Sequence, residues 1–184
     1  MIQLLKPENF HTQRNNENDP HNTCGNTTLA NLIEAAGVWR YQLDGEQLED
    51  TIYRVLRQPI CQAYCVERYP KYVNYPERVA DMLAFVGTHM TGRQWTHRSI
   101  GSVVQVAKMI ERGHAIGVLG SFYHGNLHYV AVTGMDGRDF IIADPYGDFT
   151  QDYRIKKGYG IKCPAALLNK LWTGDIVYME ECNI

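Results

Sequence analysis

No stretch of the chain approaches the ~20 consecutive apolar residues that a helix needs to cross a bilayer, so nothing in it reads as a membrane span. The apolar opening from Met1 to Leu5 breaks at Lys6 and Pro7, far short of the hydrophobic segment of a secretory signal. The expectation is a soluble protein synthesised in the cytoplasm without an evident signal peptide. Blocks of like charge are missing too. The longest basic run is the pair Lys156 and Lys157, and 18 Lys and Arg nearly balance 20 Asp and Glu. With no concentrated positive potential, nucleic acid is not expected as the main partner. Glycine-rich repeats, coiled-coil heptads and linker-bounded modules are also lacking. A chain of 184 residues buries roughly two-thirds of its unfolded surface, which suits one domain spanning 1–184. Cys24, Cys61, Cys65, Cys163 and Cys182 are an odd set, so at least one thiol stays outside any internal disulfide.

What is present falls into a helical half and a strand half. After a polar loop from Phe10 to Thr23, Leu29, Leu32, Ile33 and Ala36 recur at helical spacing with Gly37 to end the run. Asn22 or Thr23 can cap it, which puts Cys24 at the helix start. Glu46 to Arg57 reads as a second helix ended by Pro59. A tyrosine-rich connection through Tyr64, Tyr69, Tyr72 and Tyr75 leads to a short helix opened by Pro76 and closed by Gly87, and Ser99 to Arg112 is a further helix. Ala115 to Leu119, His128 to Thr133 and Phe140 to Ala143 are short Val-, Ile- and aromatic-rich strands, with Asp136-Gly137 as a turn and Ile176 to Met179 as a last strand. Helices first and strands second predict an α+β fold, with N-terminal helices packed on a small antiparallel sheet.

The chemistry concentrates at four residues. A thiol at a helix start feels the exposed amide dipoles, which favour thiolate, so Cys24 is the candidate nucleophile; a small buried cysteine opening a structural helix is the alternative. Gly25 would leave room for a substrate carbonyl. His128, opening a strand, can act as base and later as acid, or simply sit at the core edge. Asp144 follows the next strand, and the Asp136-Gly137 turn brings it beside His128, where it can orient the ring; an Asp-Pro turn cap is its plainer role. Gln13 can supply an amide to an oxyanion site together with the Cys24 amide, or be one polar loop residue among others.

Metal readings carry less. His124 and His128 are separated by Gly125 and Asn126 ahead of a strand, which spoils a shared helical face with His21 nearby. Cys61 and Cys65, with Cys163 and Cys182 far off, lack a zinc-knuckle spacing. The Asn15 to Asp19 run offers oxygens suited to calcium without a full loop pattern. No metal and no cofactor is expected.

Taken in order, Gln13-Arg14-Asn15-Asn16, Asn22-Thr23-Cys24-Gly25-Asn26-Thr27-Thr28-Leu29-Ala30, His128-Tyr129-Val130-Ala131-Val132-Thr133-Gly134 and Ile142-Ala143-Asp144-Pro145-Tyr146-Gly147 resemble the C39-like branch of the papain-like cysteine peptidases. The resemblance implies a papain-like fold. It also implies Cys24 as nucleophile, Gln13 as oxyanion donor, His128 as base and Asp144 as its orienting group. Family members include leader peptidases attached to peptide exporters, and stand-alone or phage-associated domains linked to cleavage of peptidoglycan peptides. This chain lacks the exporter's membrane and nucleotide-binding parts, and its interval from Gln13 to Cys24 is long. The implied substrate is therefore a peptide, with bacterial peptidoglycan stem or crosslink peptides first, as for an endolysin acting at the cell wall. Leader processing, peptide transfer and non-catalytic peptide binding are the alternatives.

Overall fold

The computed structural model describes residues 1–38 and 45–180; Cys182 lies outside them. Strand β1 (Ile2–Gln3) precedes a loop with short 3-10 turns at Pro7–Asn9 and Gln13–Asn15, and four helices follow: α1 (Cys24–Ala36), α2 (Leu48–Leu56), α3 (Pro59–Arg68) and α4 (Ala80–Thr91). The remainder is β2 (Trp95–Ser99), α5 (Val103–Glu111), β3 (Ile116–Tyr123), β4 (Asn126–Asp136), β5 (Asp139–Ala143), β6 (Ile161–Pro164), α6 (Ala165–Leu171) and β7 (Trp172–Met179).

Helix α1 starts at Cys24 and ends where Gly37 adopts the left-handed φ of 64° that glycine takes without steric penalty. Two punctuation marks do different work from the one their sequence position suggests. Pro59 does not merely end α2: its fixed φ and missing N–H suit the first turn of α3, which it opens. Gly87 does not close α4, which runs on to Thr91 with Gly92 as its left-handed cap. Gly87 is there because the Trp95 ring lies on it.

The strands form one antiparallel sheet in the order β2-β7-β3-β4-β5-β6, with β1 also paired to the far end of β4. The fold is α+β, and among the described residues the sheet has seven strands. It is wider than the four segments the sequence marks, because β2 and β6 at its edges are too polar or too short to stand out. The hairpins turn on local chemistry. His124 and Gly125 both take positive φ, 46° and 79°, between the paired Tyr123 and Asn126, as a two-residue turn matched to strand twist requires.

The sheet is buried on both faces, and strand alternation sorts its residues. Tyr129 and Ala131 join the core beneath α1 to α4, with Leu29, Leu32, Ile33, Ile52, Met82 and Leu83. Val130 and Val132 join a second core with Val106 and Ile110 of α5 and Leu168 of α6. Helix α5, whose expected span of Ser99 to Arg112 shrinks to Val103–Glu111 behind a Ser102 cap, therefore packs opposite the N-terminal helices. The tyrosine-rich connection divides as well. Tyr64 and Tyr69 both donate to Asp81 Oδ2, at 2.7 and 2.9 Å, tying α3 to α4.

Gly87 gives a test in which two effects oppose each other. Alanine is favoured over glycine in a helix by about 1 kcal/mol, yet its Cβ would lie 2.8 Å from Trp95 ring atoms. That ring cannot step aside easily: its Nε1 donates to Thr91 Oγ1 and its backbone N to Thr88 Oγ1, both at 2.9 Å. Overpacking costs about 1–3 kcal/mol, so Gly87→Ala is expected to lower stability by about 1 kcal/mol. Thermal unfolding should show a Tm lower by about 2–4 °C; an unchanged or raised Tm would mean that Trp95 yields.

Candidate active site

The polar loop before α1 is built as a bridge. Thr12 Oγ1 and Gln13 N donate to the Pro145 carbonyl at 2.9 and 3.0 Å, and Arg14 Nε donates to the Tyr146 carbonyl at 2.6 Å, so this segment is fastened to the chain just after Asp144. Its other contacts reach the helices. His11 N donates to Asn31 Oδ1 of α1, Asn16 Nδ2 donates to Thr23 and Thr27, and the Glu17 and Asn18 amides donate to the buried Asp50 of α2. The run from Asn15 to Asp19 thus gives amides to a carboxylate instead of gathering oxygens, and Asp19 accepts from Asn22 Nδ2. Gln13 is buried and its Nε2 donates to the Pro20 carbonyl at 2.7 Å. That uses one of its two amide hydrogens.

Cys24 is the first residue of α1, among the amides that a helix start leaves without an intrahelical acceptor. Gly25 does not open space for a substrate: a Cβ there would strike the Glu77 carbonyl oxygen, so its small size lets α1 close against the turn at Pro76–Arg78. That turn and the end of β4 flank the cysteine. The His128 ring and the Tyr129 backbone amide are the groups beside the Cys24 sulfur that favour its thiolate.

His128 is buried near the start of β4, and its Nε2 lies 2.8 Å from Asp144 Oδ1. The second ring nitrogen, Nδ1, is left for the sulfur. Asp144 has no exposed surface and holds three partners: His128, the Tyr146 amide at 2.8 Å on the same Oδ1, and the Tyr153 hydroxyl at 3.1 Å on Oδ2. The loop from Asp144 returns to place Tyr153. Asp144 N donates to the Gly158 carbonyl at 2.8 Å, and a methyl on Gly158 would collide with the Asp144 carbonyl oxygen. Asp152 and Tyr153 take φ of 53° and 58°, a conformation uncommon outside glycine.

The electrostatics follow from this geometry. Burial alone would push the Cys24 thiol up, and the Asp144 charge acts the same way; the His128 charge, its hydrogen bond and the Tyr129 amide outweigh both, so the thiol pKa is lowered. The helix start acts in the same direction. Burial would push His128 down, but the Asp144 and Cys24 charges and hydrogen bonds raise it to about 10. Burial and Asp144 push the Tyr153 hydroxyl up, so it remains a donor. Other thiols move the opposite way. Burial raises Cys61 to about 11 and Cys163 to about 12, and Cys65 also rises. Cys61 and Cys65 belong to the core under α1 to α4, and Cys163 to the core on the opposite face.

A cleft of about 670 Å³ opens over Cys24 and His128, with Gln13, Asn22, Tyr72, Arg78, Leu127, Tyr129 and Tyr146 among its walls. All four candidates from the sequence, Gln13, Cys24, His128 and Asp144, therefore meet at this place, the first three in its wall and Asp144 buried behind the ring. His21 also faces the cleft, whereas His124 sits on the hairpin turn, 3.2 Å from Asp152. Tyr153, Tyr129, Arg78 and Gly158 were not singled out by the sequence reading. Tyr146 stood inside the Asp-Pro-Tyr-Gly motif and Tyr129 inside the motif that His128 opens, but no local signal marks Tyr153, Arg78 or Gly158, because the fold alone brings them to the site.

A model described as the Peptidase C39-like family matches residues 7–163. No curated protein matches the chain. Among solved structures the chain is similar to one described as a C39-like peptidase from Bacillus anthracis, at 15% identity and a TM-score of 0.42; the match covers 54% of this chain and 57% of that one. It is similar to a double glycine motif protease from an AMS/PCAT transporter in complex with the leader peptide, at 15% identity and a TM-score of 0.47, covering 86% of this chain and 84% of that one. It is also similar to the Pseudomonas avirulence protein AvrPphB, at 11% identity and a TM-score of 0.37, covering 88% and 91%. The family match spans most of the chain and includes Gln13, Cys24, His128 and Asp144, and the chain accordingly belongs to the Peptidase C39-like family of cysteine peptidases.

Proposed function

We propose that residues 1–184 form one peptidase domain that hydrolyses peptide amide bonds with Cys24 as nucleophile, His128 as proton carrier, Asp144 as its orienting group and Gln13 as an oxyanion donor. The observation that carries this reading is the chain of contacts Cys24 to His128 to Asp144, in which the described cysteines other than Cys24 have raised pKa values while that of Cys24 is lowered. The Cys24 thiolate bonds to the carbonyl carbon, and the carbonyl electron pair moves to oxygen, where the Cys24 amide and the second Gln13 hydrogen can meet it. Collapse breaks the C–N bond, and the departing amine takes the proton from His128 Nδ1. Water then gives its proton to His128 and its oxygen to the thioester, releasing the carboxylate product and the thiolate.

The proposed substrate is a stem or crosslink peptide of bacterial peptidoglycan. Its support is that the branch resembled by the Gln13, Cys24, His128 and Asp144 motifs includes stand-alone and phage-associated domains linked to cleavage of peptidoglycan peptides. Purified protein incubated with a synthetic peptide pool and with peptidoglycan fragments, read by mass spectrometry, should give new amine and carboxylate ends that Cys24→Ala does not. Cleavage confined to peptides resembling export leaders would replace the cell-wall reading with leader processing. Release of a product joined to a new amine would indicate transfer.

The pH profile has a definite form. Acylation needs thiolate and imidazolium together, so kcat/KM should rise as pH climbs through the lowered pKa of Cys24 and fall as it passes about 10, where His128 loses its proton. Asp144→Asn removes a charge that raises His128, so the alkaline limb should move to lower pH.

Tyr153→Phe tests a positioning role. Removing one hydrogen bond to a buried charge costs about 1.5–3 kcal/mol, and with the ring less firmly held kcat should fall about tenfold with KM little changed. A rise in KM at constant kcat would instead make Tyr153 part of the substrate wall.

A further inference from the structure

We infer that Arg78 is a carboxylate-recognising subsite, which makes this an enzyme for peptides with an acidic group close to the scissile bond; the inference rests on the peptidase reading above and deepens it.

Arg78 lies in the cleft wall, and its position relative to the nucleophile is tightly specified. Its neighbour Glu77 offers the backbone carbonyl that Gly25 closes against, one residue after Cys24. Its own carbonyl accepts from the Tyr129 hydroxyl at 3.4 Å, and the Tyr129 amide is one of the groups that favour thiolate at Cys24. The guanidinium is held on two sides. Nη2 donates to Asn22 Oδ1 at 3.0 Å, and its centre lies 4.7 Å over the Tyr75 ring. Asn22 is itself fixed by Asp19, which accepts from its Nδ2 at 2.9 and 3.0 Å.

These contacts leave most of the guanidinium's donors free, and the neighbouring Glu77 charge, which is paired with Arg57, acts on Arg78 only at a distance. Asn22 takes one of five guanidinium donors, and Arg78 makes no ion pair among the described residues. Arg57 shows the contrast, since it pairs with the buried Glu77 at 3.3 Å. The cleft wall contains Arg78, His21 and His128 but neither Asp nor Glu, and the buried Asp144 behind it is engaged by His128. An ordinary exposed arginine gains little from an ion pair, because ordering a long side chain offsets the attraction. Here the ordering is already done by Asn22 and Tyr75, and the planar fork is suited to two parallel bonds to a carboxylate. Stem peptides of peptidoglycan carry free carboxylates of this kind.

The test uses two matched pools of synthetic decapeptides, identical except that one carries Glu where the other carries Gln. Wild-type protein should cleave the Glu pool about tenfold faster, as befits one charge-assisted contact, with Glu enriched at a fixed offset from the cut. Arg78→Gln should level the two rates, and Arg78→Glu should favour a third pool carrying Lys. Equal wild-type rates, or a preference that survives Arg78→Gln, would overturn the inference while leaving the peptidase reading intact. Retention of the same pools on immobilised Cys24→Ala, compared with Cys24→Ala/Arg78→Gln, reads the subsite without turnover. A Glu preference lost in the double variant supports it even if no peptide is cut, and its absence overturns it.

Discussion

A carboxylate with no exposure to water governs this site. Burying an ion costs several kcal/mol unless its lone pairs are met, and Asp144 meets its requirement with donors of different origin. The Tyr146 amide is two residues away in sequence, and the Tyr153 hydroxyl arrives on a loop that Gly158 allows to close. Both belong to one stretch of chain. His128 completes the set from the neighbouring strand. The acceptor is thus organised largely by its own loop, and the imidazole docks against a charge already held in place. That contact and the Cys24 charge together raise the ring's pKa, and the ring with the Tyr129 amide in turn favours thiolate at Cys24.

The helices and the sheet contribute opposite sides of the site, and the loop before α1 joins them. Its composition first reads as a lack of structure, since apolar residues are nearly absent. The contacts show another logic. A loop without a ladder must find partners for its backbone groups, and this one finds Asn31 and Asp50 on the helical side and Pro145 and Tyr146 on the sheet side. Gln13 is consequently buried at the seam. An amide held on a two-sided bridge keeps its place with less reorganisation than one on a free loop, which suits the oxyanion role proposed for Gln13.

The α+β class, the start of α1 at Cys24 and the central strands were legible because each rests on strong local periodicity or on a strand core of Val and Ile. What escaped has physical reasons. Strand β2, with Thr96, His97 and Arg98, lies at a sheet edge and need not be apolar; β6 ends on Pro164, a residue that edge strands tolerate. Pro59 and Gly87 are ambiguous marks, since proline both ends one helix and opens another, and glycine can serve packing as well as termination. At the site, the candidates borne on periodic elements or motifs, Cys24, His128 and Asp144, lie together around one cleft. Tyr153 and Arg78 reach the same place without any such mark in the sequence, because their positions depend on φ values and chain crossings that no spacing rule encodes.

Net charge says little about a site of this kind. Summed over the chain the charges nearly cancel, and beyond about 8 Å salt screens what remains. Within the cleft the balance differs. The His128 charge is opposed by Asp144 and Cys24, and Asp50 is occupied by loop amides. Asp19 approaches Arg78 only through the Asn22 amide, whose oxygen faces the guanidinium and whose nitrogen faces the carboxylate. Set between two opposite charges, Asn22 orders the arginine through one of its five donors. Arg78 therefore brings one positive charge to the cleft wall at short range on a chain that is almost neutral, so any preference it confers would act through contacts made after encounter and not through long-range steering.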